Sequence, residues 1–156
     1  ETGRIYIMNI DHVNEHSSFT DKVYMSNLCQ EITLPTKPIQ HIDDPNGEIA
    51  LCILSAINVG KLSSLEELEE LCDLAVRSLD EIIDYQDYPV KAAEKSTKAR
   101  RSLGIGYIGL AHYLAKNKVK YDDPKAWQLV NELTEAFPYY FLIDCIENFS
   151  IQSIKK

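Results

Sequence analysis

No apolar run in the sequence approaches the roughly 20 residues needed to cross a bilayer as a helix, so a helical membrane span is not expected. The chain opens ETGRIYI, without an initiating Met, a basic n-region or an apolar h-region. No secretory signal is therefore expected, and the opening reads like a chain entered in mid-domain. Cysteines are few, at positions 29, 52, 72 and 145. They form neither a CxxC pair suited to zinc nor the dense framework of a secreted disulfide scaffold, so a reducing cytoplasm is the expected compartment. Positive charge is also short: 16 Lys and Arg against 24 Asp and Glu leave a net charge of −8. That balance argues against a nucleic-acid backbone or a membrane surface as a partner. What the chain does have is 156 residues, 45% of them hydrophobic. This is one domain's worth of chain with the material for a core.

Arg4–Ile10 is apolar and β-branched and is consistent with a short buried strand, though too short to exclude the start of a helix. Asp11–Lys22 is polar. It places His12 and His16 four apart with Asp11 and Glu15 alongside, so on a helix the two imidazoles would share a face. Two ligands do not make a metal site, and a polar loop is the expectation. Glu31–Leu34 reads as a short strand stopped by Pro35 and Pro38, and HIDDPNG at 41–47 as a turn-rich connection. Glu48–Ile57 is nearly continuous apolar sequence of strand length, expected to be buried on both sides within a segment reaching residue 60.

From residue 64 to about 147 the chain should be mainly helical. Ser64 with Glu67 fits a capping box for a helix over Ser64–Gln86, and the glutamates around it suit a helix N-terminus. Leu65, Leu68, Leu71, Cys72, Ala75, Val76, Leu79, Ile82 and Ile83 recur at helical spacing, so Cys72 is expected to serve packing. Val90–Ser102 carries Lys91, Lys95, Lys98, Arg100 and Arg101, which reads as a solvated helix face. Gly104–Gly109 spells GxGxxG, but a dinucleotide site needs a strand before it, and the preceding residues look helical and basic. Close packing at the start of a helix over Ile108–Lys116 is expected instead. Asp123-Pro124 should begin a further helix, and Pro138 should kink or end it.

The stretch Tyr24–Glu31, YMSNLCQE, carries the chemistry. If it is extended, Asn27, Cys29 and Glu31 project on one face. An amide, a sulfur and a carboxylate so placed can hydrogen-bond a hydroxyl, exchange a hydrogen atom and accept a proton. The bland alternative is a buried cysteine between two surface polar residues. The line continues SNLCQEITLPT and then GEIALCILSAINVG, with Cys52 inside the apolar run.

These two motifs, with TGRIY at the start and LDEIIDYQDYP and RRSLGIG later, resemble the large, catalytic chain of class I (aerobic) ribonucleotide reductases over roughly nine-tenths of the sequence. After about Leu142 the resemblance fades, and Cys145 inherits no role. The resemblance implies a mixed α/β fold, helix-rich in its second half. It would be a partial segment of a ten-stranded α/β barrel whose central finger loop corresponds to residues 24–31. It also implies that Cys29 becomes a thiyl radical and that Glu31 acts as base on the substrate 3′-hydroxyl. Asn27, with Ser26 and Glu31, would contact the ribonucleoside diphosphate, and Cys52 would be half of a redox-active dithiol. No cofactor is expected on this segment. The radical would come from a small subunit with a di-metal/tyrosyl cofactor. The remaining segments of the large subunit and a thioredoxin- or glutaredoxin-type reductant would complete the partners.

The departures matter too. The second cysteine of the dithiol, the nucleotide-sensing and specificity sites, the tyrosine relay and the C-terminal cysteines have no counterpart in these residues. Tyr139-Tyr140 is not the relay pair, which belongs to a far later segment of the family. The chain alone is therefore expected to be inactive. A non-catalytic relic or packing fragment of the same enzyme is the alternative. A small thiol-redox protein using Cys29 and Cys52 is a weaker one, for want of a thiolate-stabilising neighbour.

Overall fold

The structure, a computed structural model, describes residues 3–154, with side chains described as far as Cys145. The fold is mixed α/β and divides into two compact units, Glu1–Cys52 with Gln86–Ser102, and Ile53–Tyr85 with Leu103–Lys156.

The first unit is mostly irregular chain held by two helices, α1 (Ile10–Glu15) and α3 (Lys91–Arg100). Asn14 on α1 fixes the chain that follows. Its Oδ1 accepts from the Val23 N–H at 2.8 Å, and its Nδ2 donates to the Val23 carbonyl at 2.9 Å. An asparagine amide can thus stand in for a missing ladder partner, and Val23 is fully buried beneath it. Helix α3 buries Ala92, Ala93, Ser96 and Thr97 and turns Lys91, Lys95 and Lys98 to solvent, as the basic pattern suggests. It ends at Arg101 in the left-handed region, φ 47°, whose N–H donates to the Thr97 carbonyl.

Two strand expectations in this unit fail. Arg4–Ile10 forms no strand: Ile5, Tyr6 and Ile7 are exposed, and no ladder partner lies beside them among the described residues. Glu31–Leu34 forms none either. The pairing near it is a single antiparallel bridge, Lys37 with Glu48. The turn-rich 41–47 connection is present, organised by Asp44, whose two carboxylate oxygens accept from the Gln40 and Asn46 N–H groups at 2.9 Å each. Those backbone donors hold its carboxyl below the usual carboxylate range.

The second unit is built on two parallel strands, β1 (Ile53–Asn58) and β2 (Leu103–Ile108), in register from Ile53 opposite Leu103 to Asn58 opposite Ile108. Helix α2 (Glu67–Tyr85) packs on both strands, α5 (Pro124–Ile154) packs on α2, and α4 (Leu110–Lys116) packs on the short helical turn Val59–Lys61 that follows β1. The core joins Ile57, Val59, Leu68, Cys72, Leu114, Leu133 and Phe137, and the Phe137 ring meets Tyr107 and Phe141 edge-on at 5.4 and 5.1 Å. The apolar stripe of α2 is buried at Leu68, Cys72, Val76, Leu79 and Ile83, whereas Ile82 lies off it and is exposed.

Several boundaries differ from expectation. The strand expected over Glu48–Ile57 is shorter, Ile53–Asn58, and only Ile57 in it is buried. With β2 as its one ladder partner and α2 on it, β1 has too few neighbours to cover both faces. The first glycines of GxGxxG lie in strand β2, while the last, Gly109, stands at a closely packed helix start as expected, the helix beginning at Leu110 rather than Ile108. Gly109, φ 82°, then caps α4. The helix expected from Ser64 starts at Glu67, and the Ser64–Glu67 capping box is replaced by the Glu67 carboxylate accepting from the Ser63 N–H at 3.1 Å and the Ser64 hydroxyl donating to Glu66. Asp123 caps α5 as expected, accepting from the Lys125 N–H at 2.8 Å. Pro138 does not end that helix. A proline inside a helix costs about 3 kcal/mol, and the buried Leu133 and Phe137 on the same helix offset it.

Candidate active site around Cys29 and Cys52

The chain leaves the Asn14–Val23 clamp and reaches a tight turn at Asn27–Gln30, closed by the Gln30 N–H donating to the Asn27 carbonyl at 3.2 Å. Gln30 sits in the left-handed region at φ 67°. Asn27 closes the loop a second time: its Oδ1 accepts from the Ile32 N–H at 3.0 Å, while the Ser26 hydroxyl donates to the Asn27 carbonyl at 2.9 Å. Asparagine is a turn former for this reason, because its side chain bonds nearby backbone in place of a ladder. The extended face that would align Asn27, Cys29 and Glu31 is therefore absent. Cys29 lies within the turn and, like Glu31, is exposed.

Past the turn, Pro35 is buried and the chain returns to pair Lys37 with Glu48, their backbones exchanging N–H to O=C bonds of 3.0 and 3.1 Å. The segment beyond Glu48 leads to Cys52. Between these segments lies a cleft of about 890 Å³. Ser26, Asn27 and Cys52 line it, with Lys37 and Glu48 among largely apolar neighbours such as Ile49. The structure thus brings Ser26, Asn27 and Cys52 to one cavity, while Cys29 and Glu31 are not among its lining residues.

Sequence reasoning missed the charged pair in this cleft. Glu48 is nearly buried, and its Oε1 accepts from Lys37 Nζ at 2.6 Å while its Oε2 accepts from Arg100 at 3.0 Å. The Lys37 hydrogen bond, opposed by burial and helped by Arg100, holds the Glu48 carboxyl below its ordinary value. No local pattern marks a pair eleven residues apart. A lone buried-looking glutamate at the head of an apolar run is the one hint the sequence offers.

The thiols differ in setting. Burial pushes the Cys52 thiol above its ordinary value, so at neutral pH it is an S–H group whose one hydrogen can leave as an atom or as a proton. Burial, with Asp144 adding to it, pushes Cys72 up to about 12, and burial likewise raises Cys145. Cys72 packs in the core as expected. His12 lies on the short α1 and His16 at its end. Among the described residues no group of three or more His, Cys, Asp or Glu could hold a metal ion. No helix among them is long and apolar enough to cross a membrane.

The family model "Ribonucleotide reductase, barrel domain" matches residues 1–147. The chain is 63% identical over 144 residues to the ribonucleoside-diphosphate reductase subunit alpha of Haemophilus influenzae. It is 58% identical to that of Buchnera aphidicola from Schizaphis graminum, and 55% identical to ribonucleoside-diphosphate reductase 1 subunit alpha of Escherichia coli. Each match covers 90% of this chain and 19% of the relative, so the chain spans about one-fifth of the length of these proteins.

Proposed function

Because the chain belongs to the ribonucleotide reductase barrel-domain family, we propose that the Cys29 turn and the Cys52 cleft are parts of a site that reduces ribonucleoside diphosphates to deoxyribonucleoside diphosphates by thiyl-radical chemistry. The site works within a large subunit that carries more than these residues. The observation that carries this reading is the cleft itself, in which Ser26 and Asn27 of the cysteine turn meet Cys52.

In this reading a Cys29 sulfur radical takes the hydrogen atom from the ribose 3′ carbon and becomes a thiol. Glu31 receives the 3′-hydroxyl proton, which requires its carboxylate to reach hydrogen-bonding distance of the bound substrate. Asn27 and Ser26 hydrogen-bond the substrate and hold the reacting carbon in place. The 2′-hydroxyl leaves as water. Cys52 and a second thiol from outside these residues supply two electrons and two hydrogens and close as a disulfide. Cys29 then returns its hydrogen to the 3′ carbon, Glu31 returns its proton to the 3′ oxygen, and the thiyl radical is restored. The balance is one ribonucleotide and two thiols giving one deoxyribonucleotide, one disulfide and one water. A radical-generating small subunit with a di-metal/tyrosyl centre starts the cycle, and a thioredoxin- or glutaredoxin-type dithiol reopens the disulfide.

The test is deoxycytidine diphosphate formation from cytidine diphosphate, with dithiothreitol as reductant. The large subunit containing this chain is mixed with its small subunit. Wild type should turn over and Cys29→Ser should not. Turnover surviving Cys29→Ser would refute the assignment. No turnover from an assembled wild-type complex would favour a relic that keeps the motif without the chemistry.

A further inference from the structure

We propose that Arg100 is a positioning residue that ties the segment entering the Cys29 turn to the segment carrying Cys52, and so sets their spacing for the reaction proposed above, on which this inference rests.

Arg100 reaches two carboxylates from different stretches of chain. It donates to Asp21 Oδ2 at 2.8 Å and to Glu48 Oε2 at 3.0 Å. Asp21 lies two residues before Val23, where the chain enters the cysteine loop. Glu48 begins the segment that ends at Cys52. The other oxygen of Glu48 is held by Lys37, on the segment leaving the loop, where the two backbones also pair. Loop entry, loop exit and the Cys52 segment therefore converge on one buried carboxylate and one guanidinium.

Helix α3 brings Arg100 to this point and is itself fastened to the same segment. The Ala92 carbonyl accepts from the Ile49 N–H at 3.2 Å, and Lys95 Nζ donates to the Pro45 carbonyl at 3.1 Å. The Arg100 side chain is 18% exposed against 64% for Arg77, which pairs with Asp73 one turn away on its own helix. Both bonds leave the one Nη2 nitrogen, whose two hydrogens lie in the guanidinium plane, so that plane fixes the directions of buried Glu48 and of the more exposed Asp21 together. Lysine, a point charge, can satisfy Glu48 without holding Asp21 in the same geometry. Arg100 does not line the cleft, so it acts through the segments it joins.

The test uses the complete large subunit with its small subunit, in the cytidine diphosphate assay. Arg100→Lys keeps a positive charge on Glu48 and should fold as wild type, but it should lower kcat about tenfold with KM within about twofold, since a misplacement of 1 Å can cost about a hundredfold. Arg100→Met should lower kcat further. A general loss of structure would instead reduce the assembled fraction and leave kcat per assembled complex unchanged. If both variants keep the wild-type kcat while Cys29→Ser is inactive, the positioning role is refuted and the functional reading stands. If Cys29→Ser is itself active, the functional reading fails. Should Arg100→Met not fold, Arg100→Lys alone decides, and a wild-type kcat in it refutes the proposal.

Discussion

Alkylation at pH 8 should separate the thiols of this chain by about three orders of magnitude, and the structure says which. Cys72 is fully buried in the α2 stripe, and its thiol is pushed from the ordinary 9.0 to about 12, first by burial and then by the nearby Asp144. Below both values the reactive thiolate fraction changes tenfold per pH unit, so Cys72 should react about a thousandfold more slowly than a free thiol, before steric occlusion is counted. Iodoacetamide labelling followed by peptide mass spectrometry, in buffer and in urea, gives each site its own unfolded reference. Cys29, exposed in the turn, should label quickly in both conditions, and Cys52 and Cys145 should fall between. Native labelling of Cys72 within about tenfold of its urea rate would refute the burial on which this rests. The same shift has a sign for stability. The folded thiol holds its proton more tightly than the unfolded one, so its contribution is complete below about pH 9 and is lost as pH rises towards 12.

Two further substitutions test the backbone. Gly109 lies at φ 82°, and an added Cβ would stand 2.4 Å from Asn58 Oδ1 and 3.0 Å from the Gly60 nitrogen. Gly109→Ala should therefore cost about 2–4 kcal/mol in urea unfolding, roughly 1–2 kcal/mol of it from the left-handed backbone and the rest from crowding; a cost under about 0.5 kcal/mol would show the turn to be looser. Gln30, at φ 67° beside Cys29, should tolerate Gly and resist a β-branched residue. Gln30→Gly should be neutral within about 0.5 kcal/mol and Gln30→Val destabilising by about 1–2 kcal/mol in the same measurement, and equal stabilities would refute the turn.

What the sequence made legible follows from where local signals agree. Helix α2 was readable because its apolar spacing and acidic first turn point the same way, and α5 began where Asp123-Pro124 says it should. Strand β2 is masked in the sequence by the basic, helix-forming residues that precede Gly104. Yet Leu103, Ile105 and Tyr107 alternate with glycines at the period of a strand, and that signal was available. The cysteine turn is a different kind of miss. Alternate spacing of Asn27, Cys29 and Glu31 assumed extended chain, whereas the asparagine that looked like a ligand is also the residue best able to make a turn. Arg100 was grouped with the solvated lysines of α3. Its two carboxylates lie 79 and 52 residues away in sequence, and only tertiary contact reveals them.

The thiols of Cys29, Cys52 and Cys72 stand in different settings. If the proposed chemistry holds, the radical sulfur must be reachable and the dithiol must stay protonated until its electrons are needed. The exposed turn position of Cys29 and the half-buried, apolar setting of Cys52 are compatible with those two roles. Cys72 is taken out of play by the same physics carried further, since a core position denies it both solvent and thiolate. Motif identity marks Cys29 and Cys52, but it cannot say why Cys72 stays silent; packing does. The turn also leaves Glu31 outside the cleft that Asn27 enters. Glu31 and Asn27, two residues either side of Cys29 and proposed as base and substrate-holding amide, are thus separated by the turn at Gln30, and that backbone angle is where the geometry of the proposed site is decided.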